Sequence, residues 1–223
     1  MPKVTQEYID KKKLEIINGA MQVCKSKPAY EITLRDVVKA CGISQGGMYH
    51  YFSNIDEVFA EILNHVHNEL QIKDRIEEIF NSKSSPNNIV LNLLMLLGKT
   101  VDDTYSRFGK FIFELDAIFL NDPIRGRQIW EKVTAHDDSK AVIFRLNNFI
   151  ETHIANGNFN STTPRGHILF LMITAFDGIK KTALVPDSDK EALKILGMQE
   201  NEYLTAENMM KVIAELIIKL LNT

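Results

Sequence analysis

The chain has 223 residues, of which 45% are hydrophobic, 9% aromatic and 25% charged, with 11 Gly and 6 Pro. That length can bury a real core, in one large domain or in a small one plus a larger one, and so few Gly and Pro argue against a loop-rich all-β chain and against low-complexity disorder. The net charge of −3 is unevenly spread: residues 1–56 carry eight Lys/Arg against six Asp/Glu and the remainder 18 against 23, a mildly basic head on an acidic body that permits contact with a polyanion without demanding it.

Almost every segment reads with helical period. Leu14, Ile17, Met21 and Cys24 recur at three- and four-residue spacing, widened by Ile16, Ala20 and Val23, which predicts a first amphipathic helix. Thr33 with Asp36 three residues on is a near relative of the capping box, and it opens a short helix whose apolar face is Leu34, Val37, Val38 and Cys41. Gly42 stops it at the position that favours a left-handed backbone. Ser44 caps a second short helix to about Tyr51. Ser53 or Asn54, before Asp56 and Glu57, starts a long one with the stripe Ile55, Phe59, Ile62, Val66 and Leu70, continuing to Phe80.

A polar break, Asn81 to Asn88, precedes Ile89 to Gly98 and then Tyr105 to Leu120. Asp122-Pro123 is a cap followed by a proline in the first helical position, leading through Trp130. Ala141 to Asn156 ends at Gly157, and Thr163-Pro164 repeats the start signal before Ile168, Met172, Ala175 and Ile179. Polar residues Pro186 to Lys190 precede a short helix, Glu191 to Leu196, and a last helix carries Met209, Val212, Ile213, Leu216, Ile217, Leu220 and Leu221. The fold class read from this pattern is all-α, with about nine or ten helices and no internal repeat.

Two short helices joined at Gly42 and braced by a longer one before them make a helix-turn-helix arrangement. The second, from Gln45, lacks bulk at Gly46 and Gly47, so its start can approach DNA closely. Tyr49 and His50 offer an O–H and a ring N–H to phosphates. The segment Ile32 to Phe52, ITLRDVVKACGISQGGMYHYF, resembles the DNA-binding head of the tetracycline-repressor (TetR) family. The resemblance is carried by the Thr33 start, Gly42-Ile43-Ser44, the run Met48-Tyr49-His50-Tyr51-Phe52 and the upstream Ile17 and Ala20. It covers roughly residues 12–63, and Phe176-Asp177-Gly178-Ile179 is similar to a late-helix pattern of the family.

The resemblance implies a DNA-binding head at residues 1–55 and an effector-binding and dimerisation domain at 56–223. Thr33 and the amides beside it would hold a phosphate, and Arg35 would read a base, with guanine N7 and O6 as its partners. Gln45, Gly46 and Gly47 would sit over base edges and Tyr49 and His50 on the DNA backbone, with Ser44 and Tyr51 counted among the DNA-binding residues. Each has an ordinary alternative: Tyr49 divides between packing and phosphate contact, and Arg35 between base contact and plain solvation. Two positions depart from the pattern. Tyr51 stands where the family usually has His, and Ile55 where it usually has a phosphate-binding Lys. The lost charge should shallow the salt slope by about one unit per half-site.

The function so implied is a homodimeric, ligand-responsive repressor on a palindromic double-stranded DNA operator, released by a small, largely apolar effector. Phe111, Trp130, Phe144 and Phe176 are the candidate effector-lining residues, with Asp116 and Asp177 as possible readers of a polar group. The last helix and the one from Ile168 to Leu184 are apolar enough to pack on two sides, and the resemblance implies a four-helix dimer interface there. The rival readings are a helical small-molecule enzyme and a helix-turn-helix module turned to protein contact.

No catalytic motif, metal site or cofactor is expected. His65 and His67 face opposite sides of a helix, and Asp102-Asp103 and Asp137-Asp138 suit caps or solvent. Cys24 and Cys41 lack metal or disulfide spacing. No apolar run approaches the ~20 residues of a membrane span, and no apolar leader stands at the start. A cytoplasmic protein without a membrane partner is expected.

Overall fold

In a computed structural model the chain is all-α, with no strand among the described residues, 5–184 and 205–223; of 135–141 only the helical backbone is described. The helix expected at Glu191 to Leu196 lies outside the described residues. The helices are α1 Gln6–Ser26, α2 Leu34–Cys41, α3 Gln45–Tyr49, α4 Ile55–Leu70, α5 Ile72–Phe80, α6 Pro86–Phe108, α7 Phe111–Asn121, α8 Pro123–Trp130, α9 Ala135–Ala155, α10 Arg165–Thr182 and α11 Ala206–Leu221, with a 3-10 turn at Ala29–Glu31.

Three expected elements are redrawn, each for a physical reason. The long helix expected from Asn54 to Phe80 breaks at Gln71, which takes a left-handed φ of 46°. The stripe Phe59, Ile62, Val66 and Leu70 and the stripe Ile72, Ile76 and Ile79 lie roughly a third of a turn out of phase at 100° per residue, so one straight helix cannot bury both. The helix expected to stop at Gly98 instead runs from Pro86 to Phe108. Its end is set by Gly109, at φ +59°, which splits the segment expected as Tyr105 to Leu120. The Thr163-Pro164 start is shifted: Pro164 itself occupies the cap position and makes no side-chain cap hydrogen bond. Ser161 ties the approach to the helix, accepting from the Thr163 amide at 3.2 Å and donating to the Leu220 carbonyl at 2.7 Å.

The chain groups into two compact units, residues up to Glu69 with Arg107–His136, and Leu70–Ser106 with Asp137–Thr223. In the first, α4, α7 and α8 accompany the three N-terminal helices. α1 packs on α2 so closely that a Cβ at Gly19 would collide with the Cys41 sulfur. In the second, Val90, Leu93 and Leu94 of α6 meet Ile150 of α9, Ile168 and Met172 of α10, and Met210, Ala214 and Ile217 of α11 in one core.

The close approach of α6 to α11 explains why Gly98 sits in mid-helix. A Cβ there would lie 2.5 Å from the Ala206 carbonyl oxygen and 2.6 Å from Glu207 Cα, and Asp102 one turn on accepts the Ala206 and Glu207 amides at 2.8 and 3.0 Å. The acidic residue thus caps the first turn of a helix more than a hundred residues away in the chain. Gly98→Ala is expected to lower stability by at least about 2 kcal/mol because backbone must move, whereas Gly166→Ala, with nothing near its Cβ, should be neutral or slightly stabilising. Urea unfolding midpoints of the two variants check this.

Candidate nucleic-acid interface

The head is built from caps outward. Thr33 takes an extended backbone before α2 and its hydroxyl accepts the Asp36 amide at 3.3 Å, while Asp36 accepts the Thr33 amide at 2.7 Å and the Thr33 hydroxyl at 2.6 Å. The box anticipated from Thr33 and Asp36 is therefore complete. Lys27 adds a third bond to the same carboxylate at 2.9 Å. These donors, the Thr33 hydroxyl first, hold the Asp36 carboxyl down at about 2. Thr33 was expected to help hold a phosphate; its own amide and hydroxyl are turned to Asp36, so a phosphate at this terminus meets a carboxylate balanced by Lys27.

Gly42 closes α2 in the left-handed region at φ 64° and ψ 24°, a conformation that costs an L side chain about 1 kcal/mol or more. Ser44 then caps α3, accepting the Gly47 amide at 3.0 Å. A Cβ at Gly47 would crowd this Ser44 oxygen, while Gly46 faces open space. Met48 is wholly buried and Phe52 is 2% exposed, so the underside of the helix is an anchor. Its outer edge carries Gln45, Gly46, Tyr49 and His50, all exposed. Tyr49 is 56% exposed, which separates it from its packing neighbours and leaves its O–H available. Arg35 is exposed on the first turn of α2 and makes no ion pair or hydrogen bond among the described residues. Tyr51 is half-buried beside a crevice of about 320 Å³ that it lines with Tyr8, Lys12, Ser44 and Gly47.

Ile55 is half-buried at the start of α4. That helix is capped in a related way: Asn54 accepts the Glu57 amide at 3.0 Å and Glu57 accepts the amide of the preceding Ser53 at 2.8 Å. Lys132, with the Ser53 amide, holds the Glu57 carboxyl at about 2. Sequence reasoning missed Glu57, Asp56 and their partners Lys132 and Arg125, because the pairs join residues 75 and 69 apart in the chain. The only local sign was the acidic first turn of α4 itself.

The candidate effector residues fall in different surroundings. Phe111 is 1% exposed and meets Phe59 edge-on at 5.2 Å, a core contact of the first unit. Trp130 is half-buried, 5.2 Å from the Phe119 ring, and borders an open cleft of about 420 Å³ with Phe119, Pro123, Gly126, Arg127 and Glu131. In the second unit Phe144 is 66% exposed on α9. Phe176 is half-buried under the Lys180 ammonium at 5.5 Å, and Asp177 pairs with Lys180 at 2.8 Å.

His65 pairs with Glu69 at 3.2 Å, and Glu69 also accepts Arg107 at 3.0 Å. Burial pushes the Cys24 thiol up to about 12, and the Cys41 thiol up as well, which leaves both poor nucleophiles. No group of three metal-ligating side chains occurs among the described residues, and no described helix is long and apolar enough to cross a membrane.

The Asp36 carboxyl lies below its ordinary 3.8 in the folded chain, so its stabilisation is present above that value and fades as pH falls through about 2. Asp36→Ala is expected to cost about 1 kcal/mol near neutral pH, with the gap to the parent closing between about pH 4 and pH 2. Urea unfolding of both proteins across that range checks the sign.

A family model described as bacterial regulatory proteins, tetR family, matches residues 16–62, the span from the buried face of α1 to the middle of α4. The chain is 29% identical over 207 residues to the uncharacterized HTH-type transcriptional regulator YfiR of Bacillus subtilis (strain 168), an alignment covering 91% of this chain and 95% of that one. Among solved structures, a tetR-family regulatory protein from Rhodococcus RHA1 superposes with a TM-score of 0.62 at 13% identity, over 94% of this chain and 96% of that one. The fatty acid degradation regulator FadR of Bacillus halodurans does so with a TM-score of 0.60 at 16% identity, over 97% and 96%. The capped helix-turn-helix thus carries the match to the tetR family model at residues 16–62, and the fold is similar to that of solved TetR-family regulators over nearly the whole length of the chain.

Proposed function

We propose that the chain is a ligand-responsive repressor that binds a palindromic operator as a homodimer in the cytoplasm and is released by a small, largely apolar effector. Residues 1–55 bind DNA, and residues 56–223 bind the effector and dimerise. The observation that carries the reading is the division of labour within α3: Met48 is buried while Gln45, Gly46, Tyr49 and His50 stand exposed, next to an Arg35 with no internal partner among the described residues. In the proposed complex α3 enters the major groove, Arg35 contacts a base edge, and Tyr49 and His50 bond the backbone.

Dimerisation is supported by the outer faces of α10 and α11, where Phe170 is 71% exposed, Leu216 48%, Ile173 44%, Leu171 42% and Val212 40%. Exposed apolar side chains repeated along two adjacent helices lose free energy in water unless covered. Two-fold symmetry then places half-sites one turn, ~34 Å, or a multiple of it apart. The effector acts by favouring a dimer geometry that misfits the operator; a coupling of ~1–3 kcal/mol lowers DNA affinity 5–150-fold. Trp130 is the only tryptophan of the chain, so its emission reports ligand arrival at the neighbouring cleft.

Selection of duplexes from a random pool should enrich a palindrome. Arg35→Ala should weaken its binding by about tenfold or more and relax one position, and Tyr49→Phe should weaken binding to all sequences alike. With Ile55 supplying no cation, the salt slope should be shallower by about one unit per half-site than with Ile55→Lys. Phe170→Asp combined with Leu216→Asp should give monomers by sedimentation. A pool without enrichment at low salt, from protein shown by mass spectrometry to carry no ligand, would overturn the DNA-binding role; turnover of a bound small molecule would point to an enzyme instead.

A further inference from the structure

In the first unit, α7 and α8 hold the helix-turn-helix from both of its ends. Before α2, the Ala29 amide of the 3-10 turn donates to Glu114 of α7 at 2.7 Å. After α3, Asp56 in the first turn of α4 receives a forked guanidinium from Arg125 of α8, with Nε 3.0 and 3.1 Å from its two oxygens and Nη2 at 2.6 Å. Lys132 reaches Glu57 at 2.8 Å. Two turns further along α4, Asn64 accepts the Thr134 amide at 2.8 Å and donates to the Lys132 carbonyl at 3.1 Å.

α7 and α8 are themselves one rigid piece. Asp122 ends the first and caps the second by accepting the Arg125 amide at 3.0 Å. Gly126 lets them meet, since a Cβ there would lie 2.9 Å from Phe119 Cα. An apolar seam of Ala60 on α4 against Ile129 and Val133 supplies adhesion, but such contacts are non-directional. The fork and the Glu114 bond are directional. One tie would leave a pivot; two ties, one on each side of α2 and α3, fix an angle.

We propose that Arg125 and Glu114 are positioning residues for DNA recognition, setting through Asp56 and the Ala29 amide the angle at which α2 and α3 are offered to DNA. The proposal rests on the DNA-binding reading above. It assigns specificity for the spacing of half-sites to side chains that never touch DNA. With the ties cut, the reading surface of α3 is intact but sweeps a wider range of angles, so the preferred spacing loses its advantage over its neighbours.

The test uses the full-length chain and its selected palindrome, re-synthesised with one or two base pairs added or removed between half-sites. Arg125→Ala and Asp56→Ala should each weaken binding to the preferred spacing by about tenfold and flatten the spacing profile. Their double variant should do no more than either alone. Arg125→Lys, which keeps the charge and loses the fork, should fall between; Glu114→Gln, which keeps an acceptor for the Ala29 amide, should rescue what Glu114→Ala loses. Circular dichroism and thermal melting establish that each variant is folded. A lowered melting temperature with an unchanged spacing profile would make these residues structural only and overturn the proposal. A parent protein that binds no palindrome would instead overturn the DNA-binding reading on which it stands, and the two failures are read from different samples.

Discussion

A helix of five residues cannot hold itself in water, because nucleation costs more than so few backbone bonds return. Everything the head does therefore depends on the burial of Met48 and Phe52, which fastens α3 from beneath. Those two side chains fix the rotation of the helix, and the rotation decides that Gln45, Tyr49 and His50 face outward. Ser44 and Gly42 set where the helix begins and at what angle to α2. The glycines at 46 and 47 then have two different jobs. Gly47 has a neighbour, the capping Ser44 oxygen, and Gly46 has none, so only Gly46 is left free to admit something from outside.

The head was legible from sequence because its determinants are local. Thr33 and Asp36, Gly42, Ser44 and the spacing of Met48 to Phe52 act over three or four residues, and the structure returns each of them as a bond or a backbone angle. Helix ends elsewhere were legible only where a cap announced them, as at Asp122-Pro123. Gly98 misleads because a glycine that stops a helix and a glycine that lets another helix come close look alike in one dimension; the partner, Ala206, is 108 residues away. The break at Gln71 left a trace in the phase of the apolar stripe, yet glutamine carries no signal for a left-handed backbone.

The candidate site was legible in part for the same reason. Arg35 and the outer edge of α3 follow from motif and period, whereas Glu114 and Arg125 lie on helices, and Lys132 in the turn after α8, where the sequence reads as ordinary surface. Their meaning depends on what stands opposite. The aromatic residues considered for an effector show the limit of composition: Phe111, packed on Phe59, and Phe144, mostly exposed, are the same residue type in the same kind of helix.

The first turn of α4 brings these threads together. Where the family usually places a lysine for phosphate, the chain has a half-buried Ile55, and the next two residues are carboxylates. Two unpaired acids at that point would add to the helix macrodipole favourably but would oppose a nearby polyanion in the proposed complex. Arg125 and Lys132 resolve the conflict, since each carboxylate faces a cation at hydrogen-bonding distance. The bonds that orient the head thus also neutralise the charge that would repel its partner. Loss of Arg125 would therefore act twice on DNA, through angle and through field. The two effects separate with salt: screening at 0.15 M, with a Debye length of about 8 Å, mutes the field and leaves the angle.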